Sequence, residues 1–316
     1  MREIKRLSIS GPARIEQQRI SIMKMVVFGS LNIDKTYSLE DFVRPGQTIS
    51  ASKMEQFCGG KGFNQAIALR RAGNEVHFAG AVGQDGAMLL ETLDRNGIHR
   101  DHVRVTGGAT GHAIIQLDKK GGNCIIILAG ANGEITEADV DNTLADFGKG
   151  DLIVLQNEIS CVPYILRRAR EKDMIVAFNP SPYDARIADC DLSCVDYLLV
   201  NEVEGAGMAG CTDADSILDT LHSRYPALSI VLTLGGDGSV YQDKHGKRFS
   251  CGIHKVNAVD TTAAGDTFTG FFLSELLRHG DAARALHTAS VAAGIAVSRK
   301  GAEPSIPMIA EVKMHS

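Results

Sequence analysis

The stretch DLIVLQNE, residues 151–158, runs from an apolar core-like segment into two polar residues. Its uninterrupted apolar part reads as a buried strand, which leaves Asn157 and Glu158 just past the strand's carboxyl end. The pattern repeats outward along the chain in both directions. MVVFGS (25–30), VHFAGAV (76–82), MIVAF (174–178), YLLV (197–200) and SIVLTL (229–234) are further short apolar runs. Helix-period segments lie between them, among them FNQAIALRRAG (63–73), AMLLETLDRNG (87–97), TEADVDNTLADFG (136–148) and PYILRRAREK (163–172). Two more follow at 266–280 and 281–301. Strand–helix alternation of this kind predicts an α/β fold, a mostly parallel sheet with helices on both faces.

Two stretches break the rhythm. Residues 33–58 hold a Pro-Gly turn with alternating polar and apolar residues, and residues 109–128 form a candidate hairpin turning at 119–122. Both predict antiparallel strands outside the main sheet, forming one small lid. No internal repeat or low-complexity linker divides the chain. The expected organisation is an N-terminal extension, 1–24, poorly ordered, followed by one domain over 25–316 that carries the two lid segments. The extension lacks the continuous apolar core of a signal peptide.

Composition narrows the function. The 316 residues carry a net charge of −5, with 44% apolar and 22% charged residues. No basic block interleaves with aromatics, which argues against nucleic acid as a partner. No apolar run approaches membrane-spanning length. Seven cysteines, an odd number without disulfide or zinc spacing, fit the reducing cytoplasm.

The polar residues fall at telling positions. Asn32 and Asp34 follow the first strand, Asn179 follows MIVAF, Asn201 follows YLLV, and Gly235-Gly236-Asp237-Gly238 follows SIVLTL. Asp266 opens a helix after the last extended stretch, VDTTAAGDTFTG (259–270). Any one of these suits a turn or a helix cap. Six strand ends presenting polar or glycine-rich residues together point to a site on that edge, where open α/β sheets bind ligands. A second cluster is CGGKGFNQA (58–66). It is not a phosphate-binding P-loop, because Glu55 and Gly62 stand where that pattern needs glycine and Ser or Thr. It reads as a glycine turn opening a helix, with Lys61 set against the helix dipole and so facing a ligand.

FGSLNID (28–34), CGGKGFNQA (58–66), LVNEVE (199–204), TLGGDG (233–238) and VDTTAAGDTFTG together resemble the ribokinase family of carbohydrate kinases, in register from about residue 25 to 307. AGAN (129–132) and SRKGAEPSIP (298–307) favour its pentose-kinase branch. The resemblance implies a ribokinase-like fold and ATP-dependent phosphorylation of a pentose, D-ribose first, at its primary hydroxyl. It makes Asp266 the general base, with the backbone around Gly265, Ala264 and Ala263 as the anion hole. Asn32, Asp34, Gly60, Lys61, Gly62, Asn64 and Glu158 match sugar-binding positions. Asn201 and Glu204 match a pair that organises magnesium and phosphate oxygens. Thr233, Leu234, Gly235, Gly236, Asp237 and Gly238 match the loop over the nucleotide phosphates. Asp260, Thr262, Ala296, Arg299, Gly301 and Ser305 match a monovalent-cation site for potassium, several through backbone carbonyls. The lid of such enzymes also builds a homodimer contact.

Departures from the family pattern bear on the substrate. Phe63 stands between two implied sugar contacts where a small residue is usual, so it is expected to reshape the pocket. Asn157 replaces an apolar neighbour of Glu158. Alternatives are the same mechanism on deoxyribose, another pentose, a hexose or a nucleoside, or a catalytically silent sugar-binding regulator.

Overall fold

A computed structural model describes residues 23–120 and 122–315. The expected extension lies outside the described residues except for Met23 and Lys24. The Lys24 backbone donates to Asp151 Oδ1 at 2.9 Å, tying the chain to the start of the strand that DLIVLQ forms.

Each predicted apolar run is a strand: β1 (Met25–Phe28), β4 (Val76–Val82), β8 (Leu152–Gln156), β9 (Ile175–Asn179), β10 (Tyr197–Asn201) and β11 (Ser229–Thr233). Strand β5 (His99–Val105) joins β4, and the hairpin of β12 (Ser239–Gln242) and β13 (Arg248–Cys251) closes the other edge. These three were not legible in the sequence, because they are mostly polar and lie at sheet edges. The sheet order is β13-β12-β11-β10-β9-β8-β1-β4-β5, parallel from β11 to β5 and antiparallel in the edge hairpin.

The helices in chain order are α1 (Lys61–Arg71), α2 (Ala87–Arg95), α3 (Glu137–Leu144), α4 (Val162–Glu171), α5 (Glu202–Ala209), α6 (Ala214–Arg224), α7 (Ala264–His279), α8 (Ala282–Val297) and α9 (Ile309–His315). Successive residues of β1 face opposite layers, as the two-residue strand period requires. Val27 joins Phe63, Ile67, Phe271 and Leu286 of α1, α7 and α8. Val26 and Phe28 join Val140, Ile165 and Ile217 of α3, α4 and α6 on the other face. Both faces are therefore dry, which is why the central strands carry apolar residues without alternation.

The two irregular stretches form a second sheet of β2 (Asn32–Ser38), β3 (Lys53–Gly59), β6 (Gly111–Leu117) and β7 (Asn123–Leu128), in the order β3-β2-β6-β7. Each sequence segment supplies one antiparallel pair, and the two pairs meet through a parallel β2·β6 contact. Strand β2 follows β1 after only three residues, so the small sheet springs from the carboxyl edge of the large one.

Strand β1 sits between β8 and β4. The chain first winds outward to β5 and then returns to β8 on the other side of β1. That reversal opens the sheet's carboxyl edge at β1 and β8, the place where such folds hold ligands. No described helix is long and apolar enough to cross a membrane.

Candidate active site

At the start of α7, the N-cap position belongs to Ala263, in the left-handed region at φ 59°. A non-glycine residue there costs of order 1–3 kcal/mol and is characteristic of functional turns. Ala263 offers no side-chain cap, and the backbone N–H groups of Gly265 and Asp266 meet no acceptor among the described residues. Ala264 N is spent on Thr261 O at 3.2 Å. Nothing lies within 4 Å of where a Cβ on Gly265 would stand, and both Gly265 and Asp266 line an open cleft. Such a helix start suits an anion.

Asp266 is therefore not the cap of its helix. It is the third residue of α7, within the first turn, 8% exposed, and its carboxylate is held from the side. Asn64 Nδ2 donates to Oδ2 and Gln65 Nε2 to Oδ1, each at 3.0 Å. Both donors sit in the first two turns of α1, whose N-cap is Gly60 with φ 97°, a conformation that glycine alone adopts cheaply. Asn64 is also buried, and its Oδ1 has no partner. A buried acceptor left without a donor costs about 1–3 kcal/mol, so this oxygen calls for a ligand group beside Asp266.

Lys61, Asn201, Glu204, Thr233, Ala263, Ala264, Gly265 and Asp266 share one cleft of ≈ 260 Å³. Burial pulls the Lys61 ammonium down, but the carboxylates of Asp266, Glu158 and Glu204 outweigh it and hold its pKa above the ordinary lysine value. It stays charged. Asn201 and Glu204 form a capping box on α5. Asn201 Oδ1 accepts from Val203 N and Glu204 N, and Glu204 Oε2 accepts from Asn201 N at 3.1 Å. Glu204 Oε1 keeps no protein partner.

An adjoining cleft of ≈ 540 Å³ has an apolar wall and shares Asn201, Thr233, Ala264 and Gly265 with the first. Gly235, Gly236 and Gly238 also line it, whereas Leu234 turns to the core and Asp237 is exposed on the turn.

On the other side of Asp266, Glu158 Oε2 accepts from Lys61 N at 2.9 Å and from Ser30 Oγ, and Ser30 Oγ accepts in turn from Gly62 N. Asn32 is buried and accepts from Asn132 Nδ2 at 2.8 Å, while Asn132 Oδ1 takes the Leu31 N–H. Asp34, two residues along β2, has its pKa pushed up to about 7 by burial and by the nearby Glu158 carboxylate. Phe63 does not enter this region. It is fully buried in the core with Leu31 and Ile67, because its position on α1 faces the sheet. Asn157 is likewise turned away, its Nδ2 donating to Pro182 O at 2.7 Å.

The residues matched to a cation site assemble in part. Asp260 Oδ1 accepts from Thr262 N and Oγ1, and Oδ2 accepts from Gly301 N. Burial pushes the Asp260 carboxyl up, but these donors outweigh it and hold its pKa below the usual value. Ala296 O accepts from Arg299 N, the Arg299 guanidinium reaches Glu311, and Ser305 Oγ donates to Ala302 O. Ala296 and Arg299 thus have only backbone carbonyls to offer, whereas Ser305 keeps its carbonyl and the lone pairs of its hydroxyl.

Ser30, Gln65, Asn132 and Gln156 were missed as site residues. Gln65 stands inside the quoted CGGKGFNQA motif, and its signal was a polar residue beside Asn64 on a helix otherwise apolar on that face.

An open sheet with two glycine turns and an uncapped helix start at one edge belongs to the class of α/β proteins that bind phosphate groups there. The chain belongs to the pfkB family of carbohydrate kinases, which it matches over residues 23–309, and it transfers a phosphoryl group to a sugar hydroxyl. It is 33% identical to a ribokinase of Haemophilus influenzae over 293 residues, 90% of this chain and 95% of that one. It is 31% identical to a deoxyribokinase of Salmonella typhi over 306 residues, covering 91% and 96%. Among solved structures, it resembles Arabidopsis thaliana ribokinase complexed with ribose and ATP at a TM-score of 0.84, with 30% identity over 93% of this chain and 98% of that one.

Proposed function

We propose that this carbohydrate kinase moves the terminal phosphoryl of ATP to the primary hydroxyl of D-ribose, giving D-ribose 5-phosphate and ADP. One observation carries the reading: a buried carboxylate, Asp266, stands beside an unpartnered buried oxygen, Asn64 Oδ1, at a helix start with free N–H groups. A sugar hydroxyl has a proton for the first, and a neighbouring hydroxyl has one for the second.

In this mechanism Asp266 takes the hydroxyl proton as the sugar oxygen bonds to phosphorus and the bond to the departing ADP oxygen breaks. The Gly265 and Asp266 N–H groups and the charged Lys61 ammonium face the negative charge that spreads over the transferring phosphoryl. Asn32, Asp34, Gly60, Asn64 and Glu158 hold the sugar, while Gly62, its N–H donated to Ser30 Oγ, packs behind them. The apolar cleft beside Gly235, Gly236 and Gly238 takes the nucleotide. The Glu204 carboxylate, with one oxygen free, and Asn201 suit a magnesium ion, which neutralises phosphate charge when bound. Asp260 and the carbonyls of Ala296, Gly301 and Ser305 are an all-oxygen set suited to potassium, with Asp260 and Thr262 shaping the turn.

The small sheet serves as a lid that excludes water. Its edge strand β7 exposes Ile125, Ile126, Ile127 and Leu128, a surface that supports pairing with a second copy of the chain. Seven free cysteines accord with work in the cytoplasm.

The test measures ADP release with D-ribose, 2-deoxy-D-ribose, other pentoses, hexoses and nucleosides. D-ribose is expected to give the highest kcat/KM, and a stronger response to another sugar reassigns the substrate. Asp266→Asn should lower kcat by about 10²–10⁴ while sugar affinity stays within a few-fold. Near-normal turnover in that variant would remove Asp266 as the base.

A further inference from the structure

Behind Asp266 runs a chain of neutral amides that the mechanism above gives no part. Gln65 is completely buried. Its Nε2 carries two N–H groups, and both are used: one to Asp266 Oδ1 at 3.0 Å and one to Asn179 Oδ1 at 3.1 Å. Its Oε1 accepts from Gln156 Nε2 at 2.7 Å. Turning this amide over would set its oxygen against two acceptors, so the network fixes its orientation. Asn179 is anchored in turn, donating from Nδ2 to Leu199 O at 2.7 Å.

The chain therefore crosses the fold from the ends of β8 and β9, through the first two turns of α1, to the first turn of α7. Gln156 also carries a sign of strain on its behalf. Its own Oε1 is buried without a partner, close to Gly29, where a Cβ would stand 2.3 Å away. A buried unsatisfied oxygen is unfavourable. It is tolerated here while the other end of the amide holds Gln65.

Two features define what the network can do. Asn64 pins one oxygen of Asp266 and Gln65 the other, from neighbouring positions on one helix, so the plane of the carboxylate is set. Every other member is an amide, which neither gains nor loses a proton near neutral pH. A proton taken by Asp266 thus has no route along this chain.

We propose that Gln65 is a positioning residue for Asp266, held in place by Gln156 and Asn179. It fixes the plane of the carboxylate for the incoming hydroxyl. The inference rests on Asp266 being the base. Removing the amide leaves the carboxylate held by Asn64 alone and short of one donor, losses that act on the chemical step rather than on sugar binding.

The experiment compares Gln65→Leu, Gln65→Glu, Gln156→Met and Asp266→Asn for kcat, sugar KM, sugar Kd by calorimetry, melting temperature and the pH dependence of kcat. Gln65→Leu should lower kcat by about 10–100-fold with KM and Kd within about threefold. Its acidic limb should move to higher pH by about one unit, because a donor to the ionised form is gone. Gln65→Glu sets a second carboxylate against Asp266 and should move that limb further. Gln156→Met, which removes only the anchor, should give a smaller change of the same sign and keeps the proposal testable if the Gln65 variants do not fold. An inactive Asp266→Asn beside a folded Gln65→Leu of parental kcat and pH profile overturns the positioning role alone. A fall in kcat with an unmoved limb assigns Gln65 to packing and also overturns it. Turnover retained in Asp266→Asn removes the base, and this proposal with it.

Discussion

Burial and the nearby Glu158 carboxylate raise the Asp34 carboxyl far above its ordinary range. With its pKa near 7 in the free protein, it is largely protonated in mildly acidic solution. Sugar hydroxyls donate best to an ionised carboxylate. Sugar affinity should therefore rise with pH up to about 7 and level off above it, by up to about tenfold per unit on the acidic side. The linked effect on the empty protein has the opposite sign. A carboxyl raised from 3.8 to about 7 favours the fold most below 3.8, and that contribution is lost as pH rises through about 7. Calorimetry from pH 5.5 to 8 should show the affinity trend in the parent and a flat profile in Asp34→Asn. A parallel trend in both would place the titration elsewhere. Asp34 was legible as a polar residue after a strand. Its raised pKa was not, because it depends first on burial and then on Glu158, both set only by the fold.

At the scale of elements, the pair α1 and α7 decides the site. Asn64 and Gln65 come from one helix and Asp266 from the other, so the distance between the helices sets the distances to the carboxylate. Gly270 is the point of closest approach: a Cβ there would lie 2.4 Å from Ala68 Cβ and 2.7 Å from Leu69 N. Gly270→Ala gains about 1 kcal/mol of helix propensity. The contact with backbone cannot relax easily, and overpacking costs about 1–3 kcal/mol. A net loss of stability is expected in chemical denaturation, together with a lower kcat as the helices part. Unchanged stability and turnover would show that the helices can separate without cost to the site. The helices themselves were legible from their apolar period, but their spacing was not. It depends on residues some 200 positions apart in the chain.

At the scale of the molecule, the two sheets divide the work between a rigid edge and a cover. The large sheet fixes Glu158, Asn201 and Thr233 at the ends of buried strands, and the small sheet carries Asn32 and Asp34 across them. The exposed apolar strand β7 is the part of this cover that a second chain would bury. Ile126, 60% exposed, sits in the middle of it. Light scattering should find the parent chain as a dimer and Ile126→Lys as a monomer, since a charge on a pairing edge is a strong obstacle to association. A parent that is monomeric at all concentrations would set the dimer aside.

By itself the sequence determined the layered α/β architecture and the edge on which the polar residues gather. Both follow from local rules, the apolar period of each segment and the residues that end it. It also singled out Asp266 and the glycine turn before Asn64. Tertiary structure alone decided that Asp266 is held from the side rather than capping its helix, and that Phe63 faces the core rather than the sugar. It alone joined Gln156, Asn179 and Gln65 behind the carboxylate. Side-chain direction and hydrogen-bond partners depend on which elements pack together, and residues 65, 156, 179 and 266 meet only when α1, α7 and two strand ends converge.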